Sequence, residues 1–295
     1  MRLSKSEKAG NVTIYIVLTI LAFVTLYPFW NTLAISFNDG IDTTLGGITF
    51  WPRKYTMENY RAVLNDVMFI KALIVTVGRT VIGTIAAMFF TSIFAYGMSK
   101  KHLKGRKVYM VISVITMYFG GGLIPTYLLI RSLGMINSYA ALVIPSLVGV
   151  YNIIILRTFF MGIPEEIEES AKLDGCNHIR IFFSIILPIS GPAIATISLF
   201  TAVYFWNEWF NAGIFINSAS KLPIQNYLLN VINSSNYAEQ MAKLTGGIGK
   251  FTITTVTSRS LQAATIMVAT LPIIMVYPFV QKYFVKGVLV GSVKG

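Results

Sequence analysis

A cluster of carboxylates is the clearest candidate for chemistry in this sequence. Four glutamates fall within Glu165–Glu169, although charged residues make up only 12% of the chain. Carboxylates can act as general acids and bases, and they can also form charge-assisted contacts with a partner. His102 and His178 lie in charged connectors and Cys176 is the single cysteine, so no metal site or nucleophile–base pair accompanies the cluster. The sequence favours contact with a partner and predicts neither catalytic residues nor a metal site.

The residues around these carboxylates predict a short helix. Pro164 fits the first helical position, where its missing N–H does no harm, and acidic residues in the first turn suit the helix dipole. Glu168 and Lys172 are four residues apart, in the favourable order for an ion pair. Four residues are expected to share one face of the helix: Ile163, Ile167, Ser170 and Ala171.

A turn and a second helix are expected to follow. Gly175 should end the first helix in the left-handed conformation. The second helix should start near Asn177 and continue into an apolar run until Pro188 bends or interrupts it. We refer to residues 163–180 as the acidic helix pair.

The elements that must position this pair are apolar. Hydrophobic residues make up 55% of the chain, and the mean hydropathy is +0.66. A soluble domain carries about 25% charged residues, about twice the fraction found here, so the composition predicts an integral membrane protein. The net charge of +12 does not indicate nucleic acid, because the basic residues cluster at the ends of apolar runs and not in one patch.

Six apolar segments reach the length of about 20 residues that crosses a bilayer as a helix. The first is kept as a mature span, because it is longer than a signal-peptide core and lacks a small-residue cleavage site. The third and fourth are separated by a short turn and are expected to pack as an antiparallel pair. The predicted fold class is an all-α membrane protein with six transmembrane helices: Val12–Phe37, Ala72–Met98, Val108–Ile130, Tyr139–Phe160, Ile181–Phe205 and Leu261–Phe284.

The lysines and arginines predict the orientation. With the N-terminus inside, 14 of them fall on the inner side and nine on the outer side, and "SKKHLKGRK" is the densest short cluster. Both termini are therefore expected to be cytoplasmic. The predicted organisation is a cytoplasmic N-terminus at 1–11, a six-span domain at 12–290 and a cytoplasmic tail at 291–295. Within the six-span domain we expect outer loops at 38–71 and 211–260, the second with short helices of its own, and the acidic helix pair inside.

The spacing in and after the acidic helix pair resembles a known motif. Glu169, Ala171 and Gly175, followed by Ile185, Leu187 and Pro188, read E-x-A-x3-G-x9-I-x-L-P. This pattern resembles the EAA motif of the membrane subunits, or permeases, of binding-protein-dependent ABC importers. Ser170 stands where that family usually has alanine. Segments elsewhere resemble the carbohydrate-uptake branch and its maltose-type six-span subunit, among them "NTLAISFND", "YTMENYRAVL" and "NSYAALVIPSL"; "MYFGGGLIPTYLLIRSLGMINS" is similar to a sub-branch associated with complex oligosaccharides, including uronate-derived ones.

The resemblance implies a role for the acidic helix pair. In this family the EAA helices sit in a cleft of a cytoplasmic ATPase and transmit its closure to the spans. The residues that would make or shape this contact are Glu169, Ser170, Ala171, Asp174 and Gly175.

The resemblance also implies function and partners. The expected function is the permease subunit of an ATP-driven importer of sugars, most of all oligosaccharides, that works by alternating access in the bacterial inner (plasma) membrane. Its partners would be a second homologous permease in a heterodimer, a cytoplasmic ATPase dimer and an extracellular solute-binding protein, without nucleic acid. The chain has no G-x4-G-K-[ST] phosphate loop, so it is expected not to be an enzyme and to hold no cofactor, with ATP and Mg bound by the ATPase. The tail at 291–295 would reach into the ATPase dimer, and the 211–260 loop into the binding protein.

Seven residues are candidates for the transport pathway. The stretch "YFWNEWFNAG" combines aromatic faces with hydrogen-bonding groups, which suits sugars but also suits an aromatic belt at the membrane interface. An arginine inside the second span is costly, so a structural ion pair or snorkelling is favoured over contact with a uronate-like anion. The glycine-rich stretch of the third span could be tight helix packing or a bend at a gate. The candidates are Arg79, Tyr118, Tyr127, Trp206, Asn207, Glu208 and Trp209.

Three alternatives stay open at this point. An ABC importer permease for a non-sugar solute shares every feature above except the sub-branch resemblance. An ion-coupled secondary transporter would need carboxylates within the spans, and Glu208 is the one carboxylate that lies near a predicted span. A membrane enzyme would need a nucleophile–base or metal constellation, which the sequence does not suggest.

Overall fold

The computed structural model describes residues 5–244 and 256–292, and these residues are largely helical. A bilayer offers backbone groups no water, so a chain of this composition must satisfy them within helices. Fifteen α-helices are formed in the described residues: α1 (Lys5–Ser36), α2 (Gly40–Thr44), α3 (Glu58–Asn65), α4 (Val67–Ser99), α5 (Arg106–Tyr118), α6 (Leu123–Ser132), α7 (Ala140–Val143), α8 (Val150–Met161), α9 (Glu165–Leu173), α10 (His178–Ile181), α11 (Leu187–Ile189), α12 (Gly191–Asn207), α13 (Phe210–Phe215), α14 (Ile224–Leu244) and α15 (Ser258–Ser292).

Three of the predicted spans are continuous helices. Within the described residues, the segments long and apolar enough to cross a membrane are Gly10–Ser36 of α1, the whole of α4, and Ser258–Val276 of α15. Helix α15 continues through Ser292, beyond the predicted end of the sixth span, so positions 291 and 292 of the predicted tail are helical. Residues 293–295 lie outside the described residues.

The other three predicted spans are broken. A bend was among the interpretations of the third span and was predicted for the fifth, whereas the fourth was expected to be continuous. The axes of α5 and α6 differ by 111°, those of Ala140–Ser146 and α8 by 47°, and those of His178–Ile189 and α12 by 83°. Glycine or proline stands at each break, where the helical hydrogen-bond ladder is weakest. The described residues therefore reach six spans only if each bent pair counts as one.

The chain is divided into two compact units: Met1–Ile70 with Leu228–Leu271, and Lys71–Tyr227 with Pro272–Gly295. In the first unit, the predicted outer loop at 38–71 is an ordered, hydrogen-bonded segment. Buried Asn38 donates to Asp42 Oδ2 at 2.9 Å, and Arg53 forms an ion pair with the same oxygen at 2.9 Å. The hydrogen bond from Asn38, together with Arg53, lowers the pKa of Asp42. These contacts keep the Asp42 carboxylate charged and fix the segment.

Helices form the start of the second predicted outer loop; two of the three are short, as expected, and α14 has 21 residues. Helix α13, a 3-10 turn at Ala219–Lys221 and helix α14 lie within residues 210–244, and residues 245–255 lie outside the described residues. Phe215 of α13 packs with Ile130 and Ala141, and the backbone N–H of Asn137 donates to the Phe215 carbonyl at 2.7 Å. Helix α13 is thus held to α6 and α7.

The core of the second unit connects α4, α8, α12 and the acidic helix pair. Its buried members include Tyr96, Leu156, Phe182 and Ile197, and Ala171 of α9 belongs to the same cluster. The ring of Tyr96 lies 4.9 Å from that of Phe182. Because Ala171 is part of this core, helix α9 is attached to the spans by apolar packing and not only by the chain.

Candidate functional site

The acidic helix pair has the helix–turn–helix form that the sequence predicts. Gly175 has a φ of 79°, which is the left-handed conformation expected of a glycine at a helix end. The N–H groups of Gly175 and Cys176 donate to the carbonyls of Lys172 and Ala171 at 3.0 and 2.9 Å. These bonds satisfy the carbonyls at the end of α9 and fix the direction in which the chain leaves it.

Two details of the predicted pair were wrong. Pro164 is not the first helical residue: with a ψ of 134° it precedes α9 as the N-cap. Asn177 caps α10 by accepting from the Arg180 N–H at 2.8 Å, but the helix does not break at Pro188. A π-helical turn at Phe182–Ile186 interrupts the α-helical hydrogen-bond pattern before the proline. The 83° bend follows at Ser190.

The lysines before α5 hold the first helix of the pair. Lys100 forms an ion pair with Glu168, and its Nζ lies 3.9 Å from the centre of the Tyr96 ring. Lys101 pairs with Glu165 at 2.7 Å. Glu168 was expected to pair with Lys172, but Lys100 approaches it from the end of α4. We call Lys100 and Lys101 the lysine clamp.

The two ion pairs of the lysine clamp differ in environment. The Lys100 and Glu168 side chains are 29% and 15% exposed, whereas the Lys101–Glu165 pair is exposed. The hydrogen bond from Lys101 lowers the pKa of the Glu165 carboxyl, so this pair is retained at neutral pH and is lost as the pH falls through that lowered pKa. The inner pair is the stronger anchor, because water screens it less.

The remaining carboxylates of the acidic helix pair face outward. Glu166, Glu169 and Asp174 are exposed, and their side chains form no hydrogen bond or ion pair with any described residue. Ser170, expected on the packed face with Ala171, is also exposed. Two apolar side chains stand beside them in water-accessible positions, Leu173 at 90% and Ile179 at 70% exposure. This face therefore combines free negative charge with uncovered apolar surface.

A second polar site joins two of the predicted pathway residues. The Arg79 side chain is buried in α4. It forms an ion pair with Glu208 at 3.3 Å, and its Nη2 donates to the carbonyls of Phe205 and Glu208. The other carboxylate oxygen of Glu208 accepts from the Asn211 N–H at 2.6 Å. The pair thus ties α4 to the segment between α12 and α13, as the structural interpretation of Arg79 anticipated.

The other pathway candidates differ in their exposure and surroundings. Trp206 is buried, and the Asn207 side chain donates to the Val203 carbonyl of its own helix at 2.9 Å. Trp209 is exposed and packs edge-on against the ring of Phe210. The rings of Tyr127 and Phe215 are stacked 6.3 Å apart. Tyr118 is exposed at the break after α5, so "YFGGGLIP" is a bend.

Sequence reasoning missed a cleft at the broken fourth span. It encloses about 380 Å³ between α4, α12 and the turn that precedes α8. Its polar lining includes Thr91, Ser146, Asn152, Thr201 and Tyr204. The available signal was the pair of helix breakers Pro145 and Gly149 inside a segment that we predicted to be one continuous span. The pairing of Lys100 and Lys101 with the acidic helix pair was likewise missed, because we interpreted these lysines only as evidence for the orientation in the membrane.

Comparisons with known proteins agree along almost the whole chain. Residues 13–290 match the model of a family described as binding-protein-dependent transport system inner membrane component. The polygalacturonan/rhamnogalacturonan transport system permease protein YtcP of Bacillus subtilis (strain 168) is 42% identical over 286 residues, which cover 97% of this chain and 98% of the relative. Protein LplC of the same strain is 38% identical, with 100% and 98% covered.

A solved structure shares the arrangement of helices. It is a chain in the crystal structure of a bacterial ABC transporter involved in the import of the acidic polysaccharide alginate. The TM-score is 0.86 at 30% sequence identity, and the alignment covers 96% of this chain and 99% of that one. The broken helices thus occur in a fold for which an experimental structure exists.

Removing one partner of the Arg79–Glu208 pair should destabilise the protein. Glu208→Gln leaves a buried arginine without its counter-charge, and we expect a loss of about 3 kcal/mol in the free energy of unfolding. Glu165→Gln, which breaks an exposed and well-screened pair, should change the stability much less. Thermal unfolding of the purified proteins in detergent measures both. Equal stability of Glu208→Gln and the parent protein would contradict a structural role for the pair.

Exchanging charges should distinguish the two pairs of the lysine clamp. Lys100→Glu places like charges together beside the core and should cost about 1 kcal/mol; adding Glu168→Lys should restore most of the loss. The same exchange at Lys101 and Glu165 should have little effect, because water screens that pair. The midpoint of thermal unfolding is the readout, and a Lys100→Glu effect that Glu168→Lys fails to reverse would rule out a direct interaction.

Proposed function

We infer the function from one premise: the chain belongs to the family of binding-protein-dependent transport system inner membrane components. The family expectation based on the EAA-like spacing is thereby confirmed. A member of this family is a membrane permease subunit that depends on a solute-binding protein. It is not an enzyme, and a separate ATPase hydrolyses ATP.

We propose that the transported solute is an oligosaccharide, and within that class one that contains uronate units. Support comes from the relatives: YtcP is named for polygalacturonan and rhamnogalacturonan, and the solved transporter imports alginate, an acidic polysaccharide. The similarity covers nearly the full length of each chain, so the comparison extends to the spans that line a pathway.

We further propose the architecture of the complete importer. The chain has six spans with both termini cytoplasmic, and it is one half of a heterodimer with a second homologous permease. An ATPase dimer binds ATP and Mg on the cytoplasmic side, and an extracellular solute-binding protein delivers the sugar to the outer loops. This chain takes no cofactor itself, and the complex works by alternating access in the bacterial plasma membrane.

The observation that carries the proposed importer, with its separate ATPase, is the free face of the acidic helix pair. Glu169 and Asp174 are unpaired beside exposed Leu173 and Ile179, outside the apolar segments. Exposed apolar residues next to polar ones are typical of a protein interface, in which an apolar centre is surrounded by a polar rim. We assign this face to the ATPase.

The packing of α9 explains how a movement of the ATPase would be transmitted to the spans. Ala171 lies in the core with Tyr96 of α4, and Glu168 is held by Lys100 at the end of the same helix. Helix α9 therefore moves with α4 as one body. Of the four glutamates, Glu165 and Glu168 serve this internal attachment, which leaves Glu166 and Glu169 for the partner.

The Arg79–Glu208 pair argues against the ion-coupled alternative. A secondary transporter needs a carboxylate in its pathway that can take up and release an ion. Glu208, the carboxylate nearest to a span, is bound to Arg79 and to the Asn211 N–H. Its charge is already satisfied within the protein, which favours a pathway driven from the ATPase.

ATP-driven uptake of trigalacturonate tests the proposed function. The chain would be reconstituted in vesicles with the second permease, the ATPase dimer and the solute-binding protein, with trigalacturonate as the labelled probe. We expect accumulation that requires both ATP and the binding protein. Uptake by this chain alone, driven by an ion gradient, would contradict the proposal, and so would a complex that transports a peptide or a metal ion but no oligosaccharide.

Changes in the acidic helix pair should uncouple the importer. Glu169→Lys reverses a charge on the free face, and Gly175→Pro cannot adopt the left-handed turn. Both should abolish uptake and binding-protein-stimulated ATP hydrolysis, although the protein still inserts. Lys104→Gln, an exposed change in the neighbouring connector, is the matched control and should keep both activities. Normal stimulated hydrolysis in both variants of the pair would refute the coupling role.

A further inference from the structure

The cleft at the break of the fourth span is built from polar and aromatic side chains. The chain leaves Ala140–Ser146 and enters α8 at Val150, and the open turn between them borders about 380 Å³ of space. Irregular backbone at membrane depth is tolerated where it is buried in protein or lines a wet cavity. A break of this kind therefore requires polar surroundings, and the cleft provides them.

One threonine in the cleft has no partner. Thr91 of α4 is 1% exposed and lines the cleft, yet its hydroxyl makes no hydrogen bond to any described residue. The hydroxyl is not engaged within the part of the protein that the structure describes, and Thr91 lies at the wall of the cleft. It is therefore suited to bonding a polar group that enters the cleft.

Further donors and acceptors surround the same space. The Asn152 amide donates to Thr201 Oγ1 at 3.3 Å, and its carbonyl oxygen has no hydrogen bond within the described part of the chain. The hydroxyls of Ser146 and Tyr204 lie 3.2 Å apart. The hydroxyl groups can both donate and accept hydrogen bonds, and the Asn152 amide oxygen is free to accept one. Such a set matches the hydroxyl groups of a sugar, which also donate and accept.

Aromatic surface completes the cleft, and formal charge is absent from its lining. Phe200 and Tyr204 border it and are about half exposed. No lysine, arginine, aspartate or glutamate is among the described residues that line it. Arg79, on the same helix as Thr91, is bound to Glu208. The cleft can bond hydroxyls and cover a ring face, but it offers no cation to a carboxylate.

We propose that this cleft is a subsite for the uncharged, hydroxyl-bearing face of one sugar unit on the transport pathway. The proposal rests on the proposed function and deepens it. Its volume lies at the lower end of the range of about 300–1,000 Å³ for small-molecule sites, so it holds a short piece of the oligosaccharide. In a uronate-containing substrate, the carboxylates point away from this cleft.

Isosteric substitutions in the reconstituted complex test the subsite. Thr91→Val removes the unpartnered hydroxyl, and Asn152→Leu removes the free amide oxygen. With trigalacturonate as the probe and saturating binding protein, each should lower the uptake rate by about 3- to 10-fold, the equivalent of one lost hydrogen bond. Binding-protein-stimulated ATP hydrolysis should be unchanged, because docking and coupling do not involve the cleft.

Thr80→Val is the matched control. Thr80 lies on the same helix and its hydroxyl oxygen is buried without a partner, but it does not line the cleft, so uptake should stay at the parent level. Parent-level uptake in both Thr91→Val and Asn152→Leu would overturn the subsite while the proposed function stands. A parent complex that transports no oligosaccharide would overturn both. If a variant fails to insert, Tyr204→Phe decides in its place: lowered uptake supports the subsite and parent-level uptake overturns it.

Discussion

The need to satisfy every backbone polar group without water shapes the whole molecule. It explains why α1, α4 and α15 are long and uninterrupted, since a helix bonds its own N–H and C=O groups. It also bears on the breaks in the fourth and fifth spans, because a break in hydrocarbon persists only where protein or a polar cavity takes over the lost bonds. The fourth span breaks beside a cleft lined with hydroxyls and an amide, and the fifth bends at Ser190, which is fully buried in protein.

The same constraint governs the few charges near the spans. Arg79 is compensated by Glu208 and by two backbone carbonyls, and Lys100 is compensated by Glu168 and the Tyr96 ring. Charges that are paired internally are available neither to an ion nor to a catalytic step. The outward face of the acidic helix pair and the cleft are not involved in these pairs. In the function proposed above, the first would contact the energy source and the second the solute.

Local features were predictable from the sequence and long-range pairings were not. The left-handed turn at Gly175 and the start of a second helix near Asn177 follow from the conformational preferences of single residues, and both are confirmed. The lengths of the apolar runs predicted the membrane helices, and three of these are continuous. The Lys100–Glu168 and Arg79–Glu208 pairs join residues 68 and 129 positions apart, and the spacing of a single sequence does not specify such partners. The cleft was missed because Pro145 and Gly149 lie within an apolar run, whose hydropathy masks a break.

The central claim is that the acidic helix pair contacts the ATPase, and a position-specific cross-link tests it most directly. A photoreactive group on a cysteine at position 169, in a Cys176→Ser background, should label the ATPase subunit in the reconstituted complex, with a yield that changes when ATP is bound. The same group at the exposed position of Tyr118 should not label it. No ATPase adduct from position 169, or equal labelling from both positions, would contradict the account.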